Sequence, residues 1–283
     1  MSDASQKFSL IIEPKSRLFD INLKEIWRYR DLLFLFVRRD FVAVYKQTIF
    51  GPLWFFIQPI LTTIMFMVVF GGIAKMSTDG LPGPVFYLSG IVLWNYFATS
   101  LTLTSNTFVA NKGVFGKVYF PRIITPLSIV ISKLLTFGVQ FLLFLLAFFY
   151  YYLFEETSIS PQPLILIVPI LVVMTAGLSL GLGLIITTLT TKYRDFTFLL
   201  GFAIQLGMYA TPIIYPASST GKYNWIIMAN PMSPIIEAFR YAFLGTGQFS
   251  WAALGYSAIC MILLIGVGVI VFNKVEKTFM DTV

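Results

Sequence analysis

Residues 163–191 read PLILIVPILVVMTAGLSLGLGLIITTLTT, without a charged side chain. An α-helix rises about 1.5 Å per residue, so about 20 consecutive apolar residues cross the hydrocarbon core of a bilayer. A run of this length predicts a membrane-spanning helix. Because it exceeds the thickness of the bilayer core, we expect it to tilt or to protrude.

Five other apolar runs flank this one along the chain. They cover residues 53–74, 84–105, 123–154, 196–215 and 251–272. Only 12% of all residues are charged, against about 25% in an average soluble domain, so lipid must cover most of the surface. The sequence therefore predicts an all-α membrane protein with six transmembrane helices.

The distribution of Lys and Arg predicts the orientation of these helices. With the N-terminus in the cytoplasm, sixteen Lys and Arg fall on the cytoplasmic side and three on the outside, while Lys133 lies within the third run. We therefore predict a multi-pass membrane protein with both termini in the cytoplasm. Its predicted divisions are residues 1–52 (cytoplasmic tail and interface helix), 53–272 (transmembrane domain) and 273–283 (cytoplasmic tail).

Residues 22–45 have the pattern of an amphipathic helix that precedes the first span. Asn22 and Glu25 have the spacing of a capping box, and Leu23, Trp27 and Phe34 can share one apolar face. Basic residues fall mostly on the other face, which favours a helix lying in the membrane interface. A soluble amphipathic helix packed against a partner is the alternative.

The stretch 216–250, before the last span, contains two apolar pieces that are too short to cross a bilayer. Their helical spacing favours a re-entrant helical pair that dips into the membrane from outside. An external loop packed against the helix bundle is the alternative. We find no internal sequence repeat.

The residue types argue against catalysis and against ion-coupled transport. The chain has no histidine and a single cysteine, so we predict no catalytic residues, no metal site and no cofactor bound by this chain. Within the spanning runs Lys133 is the only charged residue, whereas ion carriers place acids or histidines there. The sequence also lacks a phosphate-binding Gly-x4-Gly-Lys-Ser/Thr loop. The energy for transport is therefore expected from a partner.

Aromatic and amide side chains recur in the runs and could line a path for sugars. Aromatic rings stack on apolar sugar faces, and polar residues in a membrane usually face the bundle interior. Lipid anchoring and packing are the alternative for any one ring. The candidate path residues are Trp54, Phe55, Gln58, Tyr87, Trp94, Asn95, Phe97, Tyr209 and Tyr215.

A set of short motifs resembles one family in wording and in order. The strings are Arg38-Arg39-Asp40, Tyr45-Lys46-Gln47-Thr48, Gly51-Pro52-Leu53-Trp54, Gln58-Pro59, Lys117-Val118-Tyr119-Phe120-Pro121-Arg122, Tyr193-Arg194-Asp195, Thr211-Pro212-Ile213-Ile214-Tyr215-Pro216, Asn230-Pro231-Met232-Ser233-Pro234 and Phe239-Arg240. Each is weak alone. Together they resemble the transmembrane subunit of bacterial polysaccharide ABC exporters, the ABC-2 (type V) permeases of O-antigen, capsule and teichoic acid systems.

The resemblance implies a location in the bacterial cytoplasmic (inner) membrane, partners and a substrate. Two copies would form the pore as a homodimer, each joined by a cytoplasmic ABC ATPase subunit that holds ATP and magnesium. The substrate would be a polysaccharide on an undecaprenyl-pyrophosphate-type lipid, and no nucleic acid is expected. Arg38 and Arg39 would meet the lipid phosphates, with binding of bulk membrane lipids as an equal alternative.

The resemblance also assigns roles at the two membrane surfaces. Residues expected to couple to the ATPase are Asn111, Lys112, Lys117, Tyr119, Arg122 and Arg194. Residues expected in an outer gate are Pro212, Pro231, Pro234, Glu237 and Arg240. An ABC-2 permease for a drug or a simple lipid is the nearest alternative. A lipid-sugar transferase using Asp31, Asp40 or Asp195 is a more distant one.

Overall fold

The structure is a computed structural model that describes residues 23–46, 49–118, 120–155 and 158–281, and these residues form helices and connecting turns without a strand. The helices are α1 (Leu23–Arg28), α2 (Arg30–Tyr45), α3 (Trp54–Phe66), α4 (Gly83–Thr104), α5 (Thr107–Ala110), α6 (Lys112–Phe115), α7 (Ile124–Phe154), α8 (Val168–Lys192), α9 (Asp195–Tyr209), α10 (Asn224–Ala229), α11 (Met232–Leu244) and α12 (Trp251–Asp281). Short 3₁₀ turns precede α3, α8 and α10, and a π-helical stretch, Met67–Ile73, continues α3.

Among the residues that the structure describes, four helical segments are long and apolar enough to cross a membrane. They are Gly51–Ile73, Ile124–Phe154, Pro163–Lys192 and Trp251–Val275. The all-helical, multi-pass membrane architecture predicted from the sequence is thereby confirmed. The second and fifth predicted spans do not reach this standard. Helix α4 carries polar side chains such as Ser89, Asn95 and Thr99 among its apolar residues, and α9 has only 15 residues.

The amphipathic segment differs from its prediction in one respect. It forms two helices rather than one, because Tyr29 has a non-helical conformation (φ −96°, ψ 19°) between α1 and α2. Phe36 and Val37 are buried, whereas Trp27 and Phe34 of the predicted apolar face are exposed, which leaves them available for contact with lipid. Asn22 of the predicted capping box lies outside the described residues.

Small residues allow α8 and α12 to pack closely. A Cβ atom on Gly181 would lie 2.7 Å from the backbone nitrogen of Ile265, and one on Gly268 would lie 2.7 Å from the carbonyl oxygen of Gly181. Such close approach is typical of helix pairs in membranes, where packing rather than water exclusion drives association. This pair forms one side of the bundle.

Two aromatic clusters mark the two ends of the bundle. Near the end of α7, the Phe144 ring centroid lies 5.3 Å from that of Phe239 and 5.1 Å from that of Phe243, both on α11. At the other end, Phe36 of α2 and Phe272 of α12 belong to a cluster with residues that lie between α4 and α7. The first cluster fixes α11 against the bundle, and the second fixes α2.

Candidate functional site

A buried ion pair lies within α11. Arg240 Nη1 donates a hydrogen bond to Glu237 Oε1 at 2.7 Å, and both side chains are almost fully buried. The second carboxylate oxygen, Glu237 Oε2, accepts a 2.8 Å hydrogen bond from the backbone N–H of Gln248. Burial of two charges is costly, so the pair persists because its remaining hydrogen-bonding positions are also used.

The Arg240 guanidinium also joins α11 to two other parts of the chain. Nη2 donates to the carbonyl oxygen of Pro212 at 2.9 Å, and Nε donates to Ser89 Oγ on α4 at 3.4 Å. Its Cζ lies 4.0 Å from the ring centroid of Phe86, also on α4. One side chain therefore connects α4, α11 and the turn after α9.

The same turn is joined to the short connection between α10 and α11. Asn230 Nδ2 donates to Thr211 Oγ1 at 2.8 Å, while Asn230 Oδ1 accepts from the backbone N–H of Met232 at the start of α11. Ser257 Oγ of α12 donates to the carbonyl oxygen of Pro231 at 2.8 Å. Motifs far apart in sequence, Thr211–Pro216, Asn230–Pro234 and Phe239-Arg240, thus meet in one place, and Pro234 is buried in the first turn of α11.

A polar cavity of about 140 Å³ opens between α3, α4 and α7. Asn95 Nδ2 donates to Gln140 Oε1 across it at 3.4 Å. It brings together three of the predicted path residues, Phe55, Gln58 and Asn95. The other lining residues are Tyr96, Thr99, Lys133, Thr136, Phe137 and Gln140.

The residues of α7 that line this cavity are not among the predicted path residues. They lie at positions 133, 136, 137 and 140 and follow the spacing of one helical face. That periodicity of polar residues inside an apolar run is a signal that the sequence does contain.

Three predicted path residues are instead packing residues in this conformation. Tyr87, Trp94 and Phe97 lie in the hydrophobic core. A Cβ atom on Gly207 would lie 3.1 Å from the Trp94 ring, which shows how closely α9 packs on it. Their placement follows from the burial of α4, in which every residue from Val85 to Trp94 is buried.

The three remaining predicted path residues lie at the surface or near it. Trp54 and Tyr209 are exposed, whereas Tyr215 is half-buried and its hydroxyl donates to the carbonyl oxygen of Tyr209 at 2.8 Å. Tyr215 also lines a second, shallower hollow with Ser77 and Thr220.

The two arginines predicted to meet lipid phosphates, Arg38 and Arg39, have different surroundings. Arg38 is exposed. The Arg39 guanidinium pairs with Asp40 Oδ1 at 2.7 Å, and its Cζ lies 4.5 Å from the ring centroid of Phe36. The Arg39 side chain is exposed, whereas that of Asp40 is half-buried, so the guanidinium stays accessible to another anion while it is paired.

The predicted coupling residues lie on or beside two adjoining loops. Thr190 Oγ1 donates to the carbonyl oxygen of Ser105, and Thr197 Oγ1 donates to Asn106 Oδ1 at 3.3 Å, so the α8–α9 loop lies against the start of the α5–α6 segment. Lys112, Lys117 and Arg194 are exposed there.

Two of the coupling residues are structural in this conformation, and a third is not described. Arg122 is buried, with its Cζ 5.4 Å from the Phe115 ring centroid. Asn111 is half-buried, and its side-chain amide donates to the carbonyl oxygen of Thr107 at 2.9 Å. Tyr119 lies outside the described residues.

Comparison with known families identifies the chain. Residues 31–244 match the ABC-2 type transporter family. The chain belongs to this family. The matched region begins in α2 and ends with α11, so it contains the polar cavity, the short helices α5 and α6 and the buried Glu237–Arg240 pair.

The ABC-2 relatives include two named polysaccharide transport proteins. An O-antigen export system permease protein RfbA of Klebsiella pneumoniae is 28% identical over 256 residues, covering 89% of this chain and 94% of the relative. The polysialic acid transport protein KpsM of Escherichia coli is 23% identical, covering 82% of this chain and 88% of the relative. The family resemblance drawn from the motifs is thereby confirmed.

Proposed function

We propose that this chain is the permease subunit of an ATP-driven exporter that moves a lipid-linked polysaccharide of the O-antigen class across the bacterial cytoplasmic membrane. The observation that carries the proposal is the alignment of 89% of the chain with an O-antigen export permease. The absence of histidine and of an ATP-binding loop from the sequence supports a transport subunit rather than an enzyme.

In this proposal each copy has six spans. Two of them, α4 and α9, do not meet the standard of length and apolar character that the other four meet. Helix α4 has 22 residues, which is long enough to cross, and its polar side chains face neighbouring helices or the cavity. Both chain termini lie in the cytoplasm, as the excess of Lys and Arg indicates. Helices α10 and α11, too short to span, form a re-entrant gate at the outer side.

The permease works as a homodimer with two cytoplasmic ATPase subunits, which bind the ATP and magnesium. We expect a second copy of the chain or lipid to cover helix α9, because Phe198 is 80% exposed and Phe202 is 60% exposed. Lys112, Lys117 and Arg194 form a basic surface suited to an ATPase subunit. Since α5 and α6 share an aromatic cluster with α2, movement of the ATPase would reach the interface helix through packed rings.

The transported glycan passes the polar cavity, and the Glu237–Arg240 pair holds the gate closed in this conformation. The carrier is an undecaprenyl-pyrophosphate-type lipid whose phosphates meet Arg38 and Arg39 at the cytoplasmic surface. Opening requires Arg240 to release Pro212 or Ser89, because these bonds join the elements that would have to separate.

A clean deletion of the gene tests this function. In cells without a second exporter we expect carrier-linked glycan to accumulate inside and surface glycan to be lost, and the wild-type gene to restore both. Normal surface glycan in the deletion strain would contradict the proposal. A capsule polymer is the second candidate, favoured by the similarity to KpsM, and analysis of the accumulated glycan separates the two.

A further inference from the structure

The polar cavity contains a cation in addition to its amides. Lys133 lies one turn before Thr136 and Phe137 and two turns before Gln140 on the same face of α7. Opposite this face are Gln58 of α3 and Asn95 of α4. The cavity therefore combines an ammonium group with three side-chain amides inside the helix bundle.

The Lys133 ammonium makes no hydrogen bond or ion pair with any residue that the structure describes. Asp40 of α2 attracts the Lys133 ammonium electrostatically; its Oδ1 is held by Arg39 at 2.7 Å, and its buried Oδ2 has no hydrogen-bond partner among the described residues. A charged side chain in a membrane helix is costly to bury, and such residues pair or serve a function. Arg39 and Lys133 thus share one carboxylate, which leaves one positive charge in excess beside the cavity.

The orientations of the side-chain amides also favour a negatively charged group in the cavity. Gln140, only 5% exposed, accepts a hydrogen bond from Asn95 through Oε1, which leaves its Nε2 hydrogens as donors. Gln58 supplies a further amide at the opposite wall. A group held between an ammonium and these N–H donors has to be an acceptor, and a charged acceptor is bound most strongly.

We infer that this cavity is an anion-binding subsite in which Lys133 and the Gln140 amide hold one phosphate or carboxylate group of the transported molecule. The inference rests on the proposed function for the source of that group. The cavity has a volume of about 140 Å³, compared with roughly 30 Å³ for a water molecule in the liquid. The cavity therefore admits one small oxyanion in place of several waters. The group belongs either to the phosphate of the lipid carrier or to an acidic sugar of the glycan.

Equilibrium binding to the full-length protein in lipid nanodiscs tests the subsite. The probes are dodecyl phosphate, trigalacturonate and the neutral sugar maltotriose, and binding is followed by tryptophan fluorescence. Lys133→Met removes the charge, Lys133→Gln provides a second variant, and Lys133→Arg restores the charge. Lys222→Met, on an exposed connection outside the cavity, is the control with the same change in net charge.

We expect Lys133→Met and Lys133→Gln to weaken binding of an anionic probe at least tenfold. Lys133→Arg should stay within about threefold of wild type, and Lys222→Met should bind as wild type does. Loss for dodecyl phosphate alone assigns the anion to the carrier lipid, and loss for trigalacturonate alone assigns it to the glycan. Unchanged affinity for both anionic probes, or an equal loss for maltotriose, would overturn the subsite. Because no transport is measured, failure of the export proposal would appear separately, in the deletion strain.

Discussion

Arg240 and Glu237 form a buried ion pair with an Nη1–Oε1 distance of 2.7 Å, on one turn of α11. The pair is not isolated, since Arg240 also binds the Pro212 carbonyl oxygen and Glu237 binds the Gln248 N–H. A helix of 13 residues is thereby fixed to α4, to the turn after α9 and to the turn that follows the helix itself. This arrangement makes α11 a rigid element that must move as a unit if the proposed gate is to open.

Removal of one partner of this pair should destabilise the protein strongly. We expect Arg240→Met to lower the free energy of unfolding by about 3–5 kcal/mol, because Glu237 would keep a buried charge without its partner. Thermal unfolding in detergent measures the effect. The double variant Glu237→Gln/Arg240→Met, which removes both charges, should recover part of the loss. A single variant as stable as wild type would show that the pair contributes nothing.

Close packing between α8 and α12 predicts a large effect at Gly181. Gly181→Val should cost about 1–3 kcal/mol, since the added atoms would meet the backbone of α12. Gly201→Ala on α9 is the matched control: its Cβ meets nothing within 4 Å, and alanine favours a helix over glycine by about 1 kcal/mol. Thermal unfolding of both variants checks the difference. Equal stability would contradict the packing described here.

The exposed residues Lys112 and Lys117 should control whether the proposed ATPase subunit stays bound to this chain. We expect the double variant Lys112→Glu/Lys117→Glu to retain at least fivefold less ATPase subunit during purification in mild detergent, because charge reversal at an interface creates repulsion. The double variant Lys75→Glu/Lys222→Glu, at two exposed positions elsewhere, makes the same change of charge and should retain it as wild type does. Loss of the ATPase from the control variant as well would point to a general effect of charge.

The predicted orientation places Lys222 outside the cell and Lys117 inside it. In a Cys260→Ser background, an impermeant maleimide should label Lys222→Cys in intact spheroplasts and Lys117→Cys only after permeabilisation. Both target positions are exposed, so access from the aqueous phase decides the result. Labelling of Lys117→Cys in intact spheroplasts would contradict the orientation derived from the positive-inside rule.

The long apolar runs of the sequence predicted the helical membrane architecture, because a bilayer admits few backbone conformations. The runs that became α7, α8 and α12 are each long and apolar, with Lys133 as the one charged residue among them, and only a helix satisfies their backbone in lipid. The end of α9 was harder to predict, because the sequence stays apolar past Tyr209 into a turn that Pro212 and Pro216 keep non-helical. Hydropathy alone does not distinguish that turn from a further helical turn.

The candidate sites were predicted less evenly. The gate motifs were identified as strings, but their meeting depends on side-chain bonds such as Asn230–Thr211 that sequence spacing does not reveal. Tyr87 and Trp94 were assigned to the path because they are aromatic, a property that core residues share. Arg122 was assigned to ATPase coupling from its motif, and the structure buries it against Phe115, a contact that the motif does not reveal.

The most direct measurement of the central claim is transport of carrier-linked glycan into inverted membrane vesicles that contain this chain and its ATPase subunit. On addition of ATP and magnesium, we expect the glycan to become protected from an added glycosidase, and a partner with an inactivated ATP site to give no protection. Glycan that stays accessible while ATP is being hydrolysed would contradict the assignment of this chain as a polysaccharide exporter.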